Sequence, residues 1–264
     1  MKKIIIVTIS DKTVKCNIIL YSFSEELFSF HNILAIFIEM CYSDKNSKEK
    51  IMNQKAILFD LDGTLTDSGE GIINCAILAL EHFGLPIPSR EAMRVFVGPP
   101  LHESFIRHGV PEDKAEEAVA VYRSRYIPIG KYENTPYPGI RELLETLQSH
   151  GHRLYVATSK PEGMSVDILD HFDLAKHFTK ICGASMDLSR NSKDKVIAYL
   201  LESTGEKDSM IMVGDTKFDI LGAKAHGIPA IGVSWGYGEI SDMETAGAVA
   251  IASTPEELLS LLES

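Results

Sequence analysis

From Lys55 onward, short apolar runs alternate with amphipathic stretches of helical length, the pattern that builds a parallel α/β sheet. The runs AILF, RLYVAT, KICGA, SMIMVG and PAIGV are predicted strands, and each is followed by Asp, Ser, Thr or Gly. Polar functional groups gather at such places because ligands of open parallel sheets bind beyond the carboxyl ends of the strands. Between the first two predicted strands, the interval from Gly69 to Thr135 carries no strand pattern. Its apolar residues recur instead at helical spacing, Ile72, Ile73, Ala76, Leu80 and Phe83 on one helix, Ala115, Ala118, Val119, Tyr122 and Tyr126 on another. The expectation is an α/β core with a helical insertion after its first strand. Turn signals bound that insertion, Ser68-Gly69 at entry and Thr135-Pro136-Tyr137-Pro138-Gly139 at return.

Residues 1–51 read differently. They contain no Gly or Pro and end in the charged run DKNSKEK, and Met52 stands four residues before the first strand of the core. The favoured expectation is that residues 1–51 are a start-site artefact; the rival is an appended segment with a strand and a helix. The predicted organisation is thus an extension over 1–51, a core over 52–68 and 136–264, and a helical cap over 69–135.

Composition narrows the function classes. With 45% hydrophobic and 24% charged residues, the 264-residue chain has ordinary globular character. A net charge of −11 argues against a nucleic-acid polymer as partner, because phosphate backbones are bound by clustered Lys and Arg. It does not exclude a small phosphate ester, whose charge a metal ion and backbone amides can meet locally. Cys16, Cys41, Cys75 and Cys182 form no C-x-x-C pair, as expected of reduced thiols in a cytoplasmic protein. The apolar stretch from Asn17 to Tyr42 is broken by Glu25, Glu26, His31 and Glu39, so no membrane span is expected, and the N-terminus lacks a signal-peptide cleavage pattern.

The candidate chemistry begins at FDLDGTLTDS, Phe59 to Ser68, where a strand ends in two carboxylates one residue apart followed by a glycine. Residues two apart on an extended chain point to the same side, so Asp60 and Asp62 can address one reacting centre. One carboxylate can attack phosphorus while the other carries a proton to and from oxygen, or the pair is no more than an acidic turn. In GDTKFD, Asp215 follows a strand and Asp219 lies one helical turn later; such carboxylates suit Mg²⁺, the favoured reading for Asp215, beside the plainer one of a helix N-cap and first-turn acid, and both can hold for Asp219. Thr158, at the end of RLYVAT, offers a hydroxyl to phosphate or to a simple cap. Lys193 and Lys195 open a predicted helix, where a cation does not complement the helix dipole, and this points to a ligand role beside the plainer reading of solvated surface lysines.

Taken in order, DLDGT, Thr158, a lysine and GDTKFD resemble the four motifs of the haloacid dehalogenase superfamily, over the chain from Lys55 to the C-terminus. The resemblance implies a Rossmann-like parallel sheet core with an inserted helical cap of the first type. It also implies that Asp60 is the nucleophile and Asp62 the general acid/base, and that Thr158 and Lys193 bind phosphate. Asp60, the Asp62 backbone carbonyl and Asp215 would hold Mg²⁺. By position Lys193 is preferred to Lys195.

Within that superfamily, VGPPLHESF, PYPGIRELL, VATSKPE and GVSWGYG are similar to phosphoglycolate phosphatases and more so to a neighbouring group of 5′-nucleotidases. The implied substrate is a small phosphorylated metabolite, a nucleoside monophosphate or, alternatively, phosphoglycolate. The second aspartate of motif one separates the chain from dehalogenases and transport ATPases. Lys114 and Lys131 lie outside the stretch where phosphonatases carry their Schiff-base lysine, and VGPPLHESF does not resemble the mutase cap loop. A sugar-phosphate mutase and a non-catalytic phosphate- or metal-binding module remain the other readings. Pro99, Pro100, His102 and Arg107 are cap candidates for substrate contact, beside the plainer reading of an ordinary loop with solvated side chains. Trp235 and Tyr237 are read as packing residues of a loop that borders the site.

Overall fold

The computed structural model describes residues 3–11, 14–22, 54–187, 189–206 and 209–264. In the N-terminal extension, β1 (Lys3–Asp11) and β2 (Val14–Ser22) form an antiparallel hairpin, with Asp11 opposite Val14. The helix that one reading of this extension anticipates lies outside the described residues.

The remainder is built on a six-stranded sheet. Its strands are β3 (Ala56–Phe59), β6 (Arg153–Pro161), β7 (Lys180–Ala184), β8 (Met210–Gly214), β9 (Ala230–Val233) and β10 (Ala250–Ala252). They run parallel in the order β10-β9-β8-β3-β6-β7. Both faces are covered, which is why the strands read as nearly continuous apolar runs. Ile57, Phe59, Leu154, Val156, Ile211 and Val213 face α4 (Ile140–Ser149), α5 (Glu162–His171) and α9 (Pro255–Leu262). Their neighbours in sequence, Ala56, Leu58, Tyr155, Ala157 and Met212, face α6 (Lys193–Thr204), α7 (Lys217–Lys224) and α8 (Ile240–Ala246). All five predicted strands are present, and the architecture is the expected Rossmann-like α/β core. β10 escapes the sequence pattern because three residues, two of them alanine, are too short and too weakly apolar to stand out.

From β3 the chain passes to β6 and β7 on one side, then crosses to β8, β9 and β10 on the other. The carboxyl ends of β6 and β8 therefore flank that of β3, where a crevice opens at the switch in strand order. β6 also runs farther than expected, to Pro161. Between the pairs Ala157–Cys182 and Pro161–Ala184, three residues of β6 oppose Gly183 alone. This bulge lifts Thr158 and Lys160 at the crevice, and it needs a glycine opposite: a methyl group at Gly183 would lie 2.5 Å from the Lys160 carbonyl oxygen.

The interval after β3 starts and ends on a small two-stranded pair, β4 (Thr66–Asp67) with β5 (Thr135–Pro136). Between them lie α1 (Gly69–His82), α2 (Leu101–Arg107) and α3 (Ala115–Tyr126), joined by short 3₁₀ turns. Ile72, Ile73, Ala76 and Leu80 of α1 and Ala118, Val119, Tyr122 and Tyr126 of α3 are buried together with Met93, Phe96 and Phe105, giving these helices an apolar cluster of their own. Phe83, predicted on the same stripe, caps α1 and packs half-buried against that cluster.

Leu58 sits on the central strand with no exposure, so Leu58→Ala is expected to cost about 2–5 kcal/mol through lost burial and the cavity left behind. Urea unfolding should register that loss, while Val249→Ala, at an exposed position, should stay within about 0.5 kcal/mol of the parent.

Candidate active site

β3 delivers Asp60 into the crevice, and the chain then turns sharply through Gly63, whose positive φ of 82° suits glycine. Asp60 is buried, and its Oδ1 accepts a hydrogen bond from the Leu61 amide at 2.7 Å. β8 delivers Asp215, which the Thr64 hydroxyl meets at 3.2 Å on Oδ1 and the Tyr237 amide at 2.8 Å on Oδ2. Asp219 follows in the first turn of α7, where Thr216 and Asp219 form a reciprocal capping box. The first-turn role of Asp219 is thus met in the capping box, and its other oxygen faces Lys193 in the crevice.

Lys193 is the first residue of α6. Its buried Nζ lies 2.9 Å from Asp60 Oδ1 and 2.7 Å from Asp219 Oδ1, and it donates to the Ala157 carbonyl at 2.8 Å. The ammonium is thus hydrogen-bonded to one strand carbonyl and ion-paired with two carboxylates. Lys195 instead donates to Asn191 at 3.1 Å on the exposed side of the helix. Thr158 is buried beside Asp60, and its hydroxyl oxygen accepts from the Lys160 amide at 3.2 Å.

The electrostatic balance is unequal. Asp60, Asp215 and Asp219 bring ligand oxygens within 4.8 Å of one another, and the buried cation Lys193 pairs with Asp60 and Asp219. Three negative charges against one positive leave a deficit of two. Burial drives the Asp215 carboxyl well above its ordinary pKa, with repulsion from Asp219 and Asp60 adding to it. Burial also raises Asp60, against the opposing pull of Lys193. Burial alone would depress the Lys193 ammonium, but Asp219 and Asp60 outweigh it and hold its pKa above the ordinary value. A hard divalent cation with oxygen ligands fits this site in charge and in donor chemistry.

Asp62 stands apart from that group. Both of its carboxylate oxygens are engaged by Lys160 Nζ, at 2.9 and 2.7 Å. Lys160 was not singled out from sequence. The signal was present, because Thr158 and Lys160 are two residues apart at a strand end, but the bulge that aims both at the crevice has no sequence signature.

Of the cap candidates, Arg107 pairs with Glu103 at 3.5 Å on the surface and His102 approaches Glu116 at 3.9 Å. Arg94, which the sequence reading passed over, lies 5.2 Å from the centre of the Tyr237 ring. Tyr237 in turn accepts from the Gly69 amide at 2.7 Å and donates to Asp67, so this loop residue ties the crevice to the entry of the helical insertion. Trp235 donates to the Thr64 carbonyl at 3.1 Å, fixing the other side of the same loop. Four glycines close around the acids: a methyl group at Gly63, Gly236 or Gly238 would overlap Asp215, and one at Gly214 would overlap Asp219.

The haloacid dehalogenase-like hydrolase family matches residues 57–233, which include every group of the crevice named above except those of the loop from Trp235 to Gly238. The chain belongs to the haloacid dehalogenase-like hydrolases. It is 41% identical over 210 residues to a 5′-nucleotidase of Pseudomonas aeruginosa, covering 79% of this chain and 95% of that one. It is 43% identical over 205 residues to the tyrosine-protein kinase PtkA of Mycobacterium tuberculosis, covering 76% of this chain and 70% of that one. The crystal structure of a predicted phosphatase from Clostridium acetobutylicum superposes with a TM-score of 0.76 at 40% identity, over 79% of this chain and 98% of that one. This hydrolase is therefore an enzyme of phosphatase type.

With no cation bound, the hydrolase carries a strained acid at Asp215. A carboxyl whose folded pKa is raised stabilises the fold below its ordinary value of 3.8, and that contribution is lost as pH rises through the folded pKa. Asp215→Asn should therefore melt higher than the parent at neutral pH in a chelator and show a shallower loss of melting temperature from pH 4 to 7. A variant that melts lower with an unchanged slope would defeat this account of the site.

Proposed function

We propose that this hydrolase is a Mg²⁺-dependent phosphatase that cleaves a small phosphomonoester through an aspartyl-phosphate at Asp60. The observation that carries the reading is the pairing of a buried Asp60 with Lys193 at 2.9 Å, in a cluster that lacks two positive charges. Lys193 and Thr158 bind the phosphate oxygens. Asp60 attacks phosphorus, a new bond from its carboxylate oxygen forms, the ester P–O bond breaks, and Asp62 hands its proton to the leaving oxygen. Asp62 then takes a proton from water as water attacks the aspartyl-phosphate, and inorganic phosphate departs with Asp60 regenerated. Asp60, the main-chain carbonyl of Asp62 and Asp215 would hold the Mg²⁺, which when bound offsets charge on the transferring phosphoryl group.

For substrate class, a 5′-nucleotidase-like preference for nucleoside monophosphates is the leading reading and phosphoglycolate the alternative. The helices over 69–135 act as the cap that closes on the leaving group and excludes water. Among the described residues no helix is long and apolar enough to cross a membrane, and Cys75 and Cys182 are free buried thiols, in keeping with a cytoplasmic setting.

Phosphate release from p-nitrophenyl phosphate should require Mg²⁺ and fall about a thousandfold or more in Asp60→Asn. A panel of nucleoside monophosphates, phosphoglycolate and β-glucose 1-phosphate then separates the substrate classes. Strong preference for phosphoglycolate would reverse the nucleotidase reading, and conversion of glucose 1-phosphate to glucose 6-phosphate would make the enzyme a mutase. Inactivity of the folded parent, or phosphorylation of protein tyrosine in place of phosphate release, would overturn the phosphatase.

A further inference from the structure

Lys160 is a buried cation at the rim of the crevice with no assigned role. Its Nζ reaches both oxygens of Asp62, at 2.9 and 2.7 Å, and lies 5.0 Å from the centre of the Tyr126 ring. Tyr126 ends α3 of the helical insertion, stacks on Tyr122 with ring centres 5.1 Å apart, and keeps its hydroxyl buried without a hydrogen-bond partner among the described residues. Three elements thus meet at one ammonium: the turn after β3 through Asp62, the bulge of β6 that carries Lys160, and α3 through an aromatic face.

This arrangement constrains Asp62 more than its own turn could. An aspartate on a short turn has rotamers to choose from, and proton transfer falls off steeply when donor and acceptor are misplaced. A lysine ammonium is a compact donor that can keep one carboxyl oxygen while the other carries the proton. The ring of Tyr126 closes the far side of the ammonium and favours the cation there. Lys160 also lacks freedom to wander, because its backbone belongs to the bulge and its amide donates to Thr158 at 3.2 Å.

We infer that Lys160 is a positioning residue that aims the Asp62 carboxyl at the leaving oxygen, with Tyr126 of the helical insertion as its backstop. The inference rests on the reading of Asp62 as general acid and adds the device that orients it. In the step concerned, the bond from Asp60 to phosphorus forms, the bond from phosphorus to the leaving oxygen breaks, and the Asp62 proton passes to that oxygen. Lys160 keeps its protons and makes no bond to substrate.

The leaving group supplies the test. A nitrophenolate departs readily without a proton, whereas the alkoxide of AMP needs one, so an error in aiming the acid should penalise AMP far more. The ratio is read in kcat/KM, which reports events up to departure of the leaving group. With the full chain and Mg²⁺, Lys160→Met should lower kcat/KM on AMP at least about tenfold more than on p-nitrophenyl phosphate. Lys160→Arg should recover part of the difference, Tyr126→Leu should show a smaller bias of the same sign, and Tyr126→Phe should show none. Lys160→Gln, one atom shorter and uncharged but still carrying an N–H donor, serves if Lys160→Met does not fold. Asp62→Asn is the reference. If Asp62→Asn shows the bias and the Lys160 variants lower both substrates equally, Lys160 is only a structural support and the inference is overturned. If Asp62→Asn itself shows no bias, the general-acid reading fails and the inference falls with it.

Discussion

The structure depends on an electrostatic deficit held in a confined space: Asp60, Asp215 and Asp219 are buried within reach of one another, with Lys193 as the cation between two of them. Burying like charges is costly, and proteins tolerate it only where partners or a bound ion repay the desolvation. Here part of the repayment is built in. Lys193 pairs ionically with Asp60 and Asp219 and donates to a strand carbonyl, Thr216 and the α7 capping box absorb the second oxygen of Asp219, and Asp215 receives one hydroxyl and one amide. The rest is left open, and the open part is what an anionic ester with a divalent cation can use.

The sheet makes this possible. Asp60 and Asp215 leave adjacent parallel strands on the same edge because β3 and β8 pair in register, Phe59 with Val213. Thr158 leaves the other neighbour, where Phe59 pairs with Val156. No long loop is needed to gather the acids and the hydroxyl; three strand ends do so, and α6 brings the lysine to the same edge. Groups placed by strand ends and helix starts are held more precisely than groups on mobile loops.

Much of this was legible in the chain because the signals are local. Apolar runs ending in a polar residue mark the strands of the buried sheet, and the stripes through Ile72 to Leu80 and Ala115 to Tyr126 mark α1 and α3. Asp60 and Asp215 stand directly after strands, and Thr158 closes the apolar run RLYVAT within β6. Signals that arise only from tertiary geometry were not legible. The β6 bulge exists because Gly183 on the next strand leaves room for it, so nothing near Lys160 announces that its side chain turns towards Asp62. Arg94 and Tyr237 belong to segments far apart in sequence, and only the seating of the insertion on the core brings them together.

The ring of glycines around the acids has a consequence for descent. With Gly63 and Gly236 pressed on the Asp215 side chain, Gly238 on the Asp215 main-chain carbonyl and Gly214 on the Asp219 side chain, those positions admit no side chain without displacing one of these groups. Drift at this edge of the molecule is therefore barred by crowding rather than by chemistry alone. New substrate preferences in any lineage keeping this fold must be written elsewhere, in the polar rim of the insertion or around Lys160, while the floor beneath them stays fixed.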